Sequence, residues 1–79
     1  MIKYNLKALI LDKEFKEDTR ITYKQVSEAT GISKPTLSKI ASKKGYNTTT
    51  ENVEKLCRYF KVTPEKLMTL IPDITGQRL

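Results

Sequence analysis

The chain has no histidine and a single cysteine among its 79 residues. It therefore lacks the imidazole that most often moves protons at active sites, and a lone thiol without imidazole cannot build a typical zinc site. Cys57 also has no second thiol within the chain to pair with. Its position beside Leu56 and Phe60 suits a structural thiol on the inner face of a helix better than a reactive one. The glycines are few and scattered, and Gly45 stands alone, so no glycine-rich phosphate loop can form. No pair of carboxylates is set by spacing into an obvious common cleft. No apolar run approaches the roughly 18 residues of a membrane-spanning helix. The opening stretch MIKYNLKALILDKEFKE breaks its apolar run with charges too early for a signal peptide. These absences point away from an enzyme, a metal protein, a cofactor carrier or a membrane protein. The expectation is one small, soluble, cytoplasmic domain with no cofactor, since a chain of this length can bury one core and not two.

What the chain does have is positive charge in one place. Its formal net charge is +6. Residues 1 to 22 carry five basic and four acidic side chains, and residues 48 to 79 carry the same numbers, so each part contributes +1. Residues 23 to 47 carry Lys24, Lys34, Lys39, Lys43 and Lys44 against Glu28 alone, which is the remaining +4. One solvated lysine would mean little, because lysine is mostly exposed anyway. Five concentrated on one segment suggest an anionic polymer as partner.

That segment also has the most consistent helix signals. In TYKQVSEATGISKPTLSKI, Thr22 can cap a first helix with Gln25 at its third position, a reciprocal capping box, while Ile21 and Val26 stand at the positions of a hydrophobic staple. Gly31 follows Thr30 where the chain must adopt a positive φ to leave the helix. Ser33 then caps a second helix, in which the early Pro35 removes no intrahelical bond, and Ile32 with Leu37 repeats the staple. Val26, Ile32, Leu37 and Ile40, with the small Ser27 and Ala29, can converge to hold the two helices at a fixed angle. The outer face of the second helix is left with Lys34, Thr36, Ser38 and Lys39. A short polar and basic helix propped on a partner by a glycine turn is the geometry that places side chains in a DNA major groove.

The remainder reads as helical support, with no strand signal. Leu6, Leu9, Ile10 and Phe15 mark one face of an N-terminal helix from about Tyr4 to Glu17. The threonine triplet at 48 to 50 offers several caps for a helix through Val53, Leu56, Cys57 and Phe60. Thr63 caps a last helix with Pro64 at its first position, Glu65 in its first turn and Val62 opposite Leu67, ended by Pro72.

Val26, Gly31, Ile32, Leu37 and Ile40, followed by TTTENVEKLCRYFKVTPEKLMTLIPD, resemble the Cro and lambda-repressor type of helix-turn-helix domain, often called the XRE type. The similarity runs from about Leu6 to Asp73. It implies an all-α, compact five-helix domain over residues 1–73, with 74–79 as a short C-terminal tail. It further implies a sequence-specific transcriptional regulator of the repressor kind that inserts helix 33–42 into the major groove of a double-stranded DNA operator, commonly as a homodimer. Carried over position by position, base reading falls on Lys34, Pro35, Thr36, Ser38 and Lys39, and backbone contact on Tyr23, Lys24, Ser33, Lys43, Lys44, Tyr46 and Asn47. Pro35 can offer only apolar contact, for instance to a thymine methyl, and Ala41-Ser42-Lys43-Lys44-Gly45 replaces the usual Glu-Asn-Gly. Some of these residues also have a local reading. Thr36 can support the Ser33 cap, and Tyr23 can bury its ring over the helix pair. Lys39 is the strongest candidate reader.

An interaction protein is the other reading: an antitoxin that binds a partner protein and autoregulates its operon. Leu67, Met68, Leu70 and Ile71 lie too close together to share one helix face, so they can close the core, join two copies or meet a foreign partner.

Overall fold

The computed structural model describes residues 1–42 and 46–72. Among them the order is β1 (Ile2–Tyr4), α1 (Leu6–Glu17), α2 (Tyr23–Thr30), α3 (Lys34–Ser42), α4 (Thr50–Phe60), α5 (Pro64–Leu67) and β2 (Met68–Leu70). The five helices match the expected number. The short antiparallel sheet of β1 and β2, with Ile2 opposite Leu70, Lys3 opposite Thr69 and Tyr4 opposite Met68, does not match the expected absence of strands. The fold is mostly helical, and "all-α" describes it only approximately.

The sheet corrects both ends of the expected layout. The N-terminal helix begins at Leu6 and not Tyr4, because Ile2–Tyr4 is extended against β2. The last helix ends at Leu67, and Met68 leaves it with an extended backbone at φ −116° and ψ 140°. Pro72 is therefore not what stops it. Asn5 clasps the two ends: its main-chain N–H donates to the Leu67 carbonyl at 2.7 Å, and its side-chain amide donates to the Lys66 carbonyl at 3.1 Å and to Thr69 Oγ1 at 2.9 Å. Of the four crowded residues only Leu67 is fully buried. Met68 and Ile71 are half-buried and Leu70 is exposed. Leu67 closes the helix inside the core, and although Met68 and Leu70 share one face of the strand, Met68 still packs against the core while Leu70 lies exposed.

The core gathers Leu6 and Ile10 from α1, Ile21 ahead of α2, Val26 from α2, Ile32 from the turn, Leu37 and Ile40 from α3, Leu56 from α4 and Leu67 from α5. Every helix thus contributes to one cluster. Leu9 packs against it half-buried, whereas Phe15, expected on the same face of α1, is 87% exposed. Leu11 is 65% exposed one turn earlier, so α1 is apolar on two opposite sides. Ala29 is exposed and takes no part in the core between α2 and α3, while Ser27 is half-buried. Cys57 is half-buried, lining an open apolar groove with Val53, Val62, Pro64 and Met68, so the structural thiol expected on the inner face of the helix is only partly covered. Burial first, and the nearby Glu65 carboxylate second, push the thiol above its ordinary value.

The caps follow the threonines. Thr49 caps α4, accepting the Asn52 N–H at 3.1 Å, which settles the start left open by the triplet. Asp18 and Lys61 end α1 and α4 in left-handed conformations at φ 51° and 57°, and their N–H groups return to the Glu14 and Cys57 carbonyls. Glu14 also accepts the Ile21 N–H at 2.7 Å, joining the end of α1 to the start of the α2–α3 pair. The Glu65 carboxyl lies below its ordinary value, held there chiefly by the Thr63 hydroxyl and then by its own backbone N–H.

Candidate nucleic-acid interface

The first helix of the pair is set by the capping box that its sequence prescribes. Thr22 Oγ1 accepts the Gln25 N–H at 3.2 Å, and Gln25 Oε1 accepts the Thr22 N–H at 2.8 Å. Gly31 then closes α2 at φ 80°, its N–H donating to the Ser27 carbonyl. Between them Thr30, the one buried polar residue among those described, donates its hydroxyl to the Val26 carbonyl at 2.7 Å and accepts the Ile32 N–H at 3.2 Å. One hydroxyl thus spans the turn, fixing the last residues of α2 to the chain that enters α3. Ile21 with Val26, and Ile32 with Leu37, are buried in the core as the two staples require.

Ser33 caps α3, with its hydroxyl accepting the Thr36 N–H at 3.3 Å and its carbonyl accepting the Leu37 N–H at 3.0 Å. Leu37 and Ile40 are sealed in the core at 0% and 1% exposure, and this fixes the roll of the helix. Lys34, Pro35, Ser38 and Lys39 are consequently turned to solvent, with Thr36 half-buried at the margin. The structure brings all five expected reading residues onto one helix and leaves four of them open. Ser42 joins them, exposed at i+7 from Pro35 and i+3 from Lys39. Sequence reasoning passed over it, although extending the Pro35–Lys39 face by one turn would have found it. Its hydroxyl donates to the Ser38 carbonyl at 2.7 Å, so its remaining capacity outward is to accept.

The expected backbone-contacting residues divide. Lys24, Ser33 and Asn47 are exposed. Tyr23 and Tyr46 are half-buried and packed against the core, which supports the view of Tyr23 as a ring covering the helix pair. Lys43 and Lys44 lie outside the described residues.

Charge distinguishes α3 from its neighbours. On α1 and α4 basic side chains meet carboxylates of their own helix one turn away: Lys13 with Glu17, Lys16 with Asp12, Lys55 with Glu51 and Arg58 with Glu54, at 2.6 to 3.2 Å. The α3 sequence KPTLSKIAS contains no acidic residue at all. Its two lysines therefore project positive charge that no neighbour on the helix offsets, which is what an anionic partner requires.

Among the described residues no helix is long and apolar enough to cross a membrane. Residues 5–73 match the family of Cro/C1-type HTH DNA-binding domains. No curated protein matches the chain.

Proposed function

The chain belongs to the Cro/C1-type helix-turn-helix DNA-binding family, and we infer that it is a sequence-specific transcriptional regulator that represses from a double-stranded DNA operator in the cytoplasm. The single observation that carries this reading is the α3 surface, where burial of Leu37 and Ile40 leaves Lys34, Pro35, Ser38 and Lys39 facing outward with no acid among them. In this proposal α3 lies in the major groove, with those residues and Thr36 toward base edges. Tyr23, Lys24, Ser33, Tyr46 and Asn47 follow the phosphate backbone, together with Lys43 and Lys44. No catalytic step is part of this role.

Two chains occupy a symmetric operator, because one domain offers one reading helix and a palindrome needs two about one helical turn, roughly 34 Å, apart. Leu70 and Ile71 are the proposed contact, and the 69% exposure of Leu70 at the sheet end favours it. The test is selection from a random duplex library, repeated at several salt concentrations. A palindromic motif is the expected product. Enrichment of no motif, with binding that depends on salt alone, would mean non-specific affinity only.

A second reading has its own observation. Leu11 and Phe15, one turn apart on the outer side of α1, form an exposed apolar pair that a purely DNA-directed monomer does not need. An antitoxin that holds a partner protein while regulating its own operon would use such a face. If so, Phe15→Glu in the full chain abolishes co-purification of that partner and leaves operator affinity intact.

A further inference from the structure

The first helix buries one apolar side and exposes another. Leu6 and Ile10 enter the core, with Leu9 packed against it, while Ala8, Leu11 and Phe15 are exposed. Spaced three and four residues apart, these three form a single stripe along α1, on the side away from the core. The helix has 12 residues and is about 18 Å long, so the stripe runs along most of it. Residues at this spacing are the ones through which two helices pack together.

The charges beside the stripe are ordered by sign. On one flank Lys7 stands at the N-terminal end and Asp18 at the C-terminal end, both exposed and, among the described residues, in no ion pair. Elsewhere on α1 opposite charges already meet, Lys13 with Glu17 and, on the other flank, Lys16 with Asp12. Glu14 adds negative charge on the flank of Asp18, with one oxygen taken by the Ile21 N–H. The stripe thus has an unmatched base at one end and an unmatched acid at the other. Such a face complements itself when a second one runs antiparallel, whereas a parallel partner would bring like charges to the same end.

From this arrangement we infer that the outer side of α1 is a contact with a second copy of the chain, antiparallel about a two-fold axis, with Leu11 of each copy against Phe15 of the other and Lys7 against Asp18. The spacing agrees: Lys7 lies four residues before Leu11 and Asp18 three after Phe15, so both pairs come into register together. Self-complementarity of charge is what selects a second copy over a foreign protein as the occupant. This contact is separate from the one proposed for Leu70 and Ile71, and it does not rest on the operator reading. The other side of α1 faces the core that also buries Leu37 and Ile40 of α3, so the contact leaves the exposed face of α3 uncovered. A helix pair this short buries less than a standard stable interface. It is therefore weak between free chains and gains strength where chains are held close together, as on neighbouring sites of one duplex.

Sedimentation equilibrium of the full chain, from micromolar to millimolar concentration, tests this. Every sample carries Leu70→Ser, so that the sheet end does not contribute, and circular dichroism first establishes that each variant is helical. The parent should self-associate, and Phe15→Glu should remain monomeric. Lys7→Glu and Asp18→Lys should each weaken association about tenfold, since each turns two exposed attractions into repulsions. Lys61 already holds the left-handed conformation of Asp18, at φ 57° against 51°, so a lysine is compatible with that backbone. Mixing these two variants in equal amounts should restore the parent's association, because both charge pairs are again opposite in the mixed dimer. A parent that stays monomeric throughout, a Phe15→Glu variant that associates as the parent does, or a mixture no stronger than its components would overturn the inference. So would a parent that does not self-associate but carries a foreign protein lost in Phe15→Glu, which would assign the face to that partner. Operator binding is tested by the duplex selection alone and stands or falls apart from these outcomes.

Discussion

The Thr30 hydroxyl accepts the Ile32 N–H at 3.2 Å across the turn between α2 and α3, while donating to the Val26 carbonyl at 2.7 Å. Both bonds are buried, so water cannot replace either. Thr30→Val preserves volume and branching but strands the Ile32 N–H. It should cost about 1 to 3 kcal/mol of unfolding free energy, the penalty for an unpartnered buried group. Urea denaturation followed by circular dichroism checks this, and an unchanged midpoint would show that the turn is held by packing alone.

Gly31 sits at φ 80°, and a Cβ built on it would meet nothing within 4 Å. The cost of a side chain there is therefore conformational and not steric. Gly31→Ala should destabilise by about 1 kcal/mol, Gly31→Asn by less, and Gly31→Val by more, in the order of their tolerance for left-handed backbone. Equal losses for all three would point to a clash that the geometry does not contain.

Asn5 joins the start of α1 to the end of α5 and to β2 through its side-chain bonds to the Lys66 carbonyl and Thr69. Asn5→Ala should lower stability by roughly 1 kcal/mol, within the usual range for exchanged polar contacts. Hydrogen exchange should quicken first at the Ile71 N–H, which bonds to the Met1 carbonyl at 2.8 Å beyond the sheet. Uniform exchange across α2 and α3 instead would indicate that the two ends are not a separate unit of opening.

Lys39 and Lys24 are both exposed, one on the reading helix and one on its support. If Lys39 reaches a base edge, Lys39→Ala costs about 1 to 3 kcal/mol on the selected operator and relaxes one base pair, with much less change on random DNA. If Lys24 only neutralises a phosphate, Lys24→Ala weakens all duplexes alike and reduces the salt slope by roughly one unit. Titrations of both variants on both DNAs separate the roles. Matching losses with unaltered sequence preference would make Lys39 one more member of a basic face.

Where a structural decision is made within a few residues, it was legible before the fold was known. The Thr22–Gln25 box, the positive φ at Gly31, the Ser33 cap and the two staples each involve partners at most five positions apart, so residue type and spacing suffice to specify them. The outward face of α3 follows from the same periodicity, since burying Leu37 and Ile40 leaves little choice for Lys34, Ser38 and Lys39. The tertiary structure decided what depended on distant partners. Ile2–Tyr4 and Met68–Leu70 are too short to show a strand period, and each is extended because the other lies beside it. Phe15 and Leu11 could have faced inward by composition; α1 has two apolar sides, and only the packing of Leu6 and Ile10 chose between them. That the Ser42 hydroxyl bonds back to its own helix is equally a matter of three-dimensional position, because the same residue type can also turn outward to donate or accept. The chain alone determined which segment is the helix pair and what chemistry it carries, since caps and charges are local; packing determined which of those groups remain available to a partner.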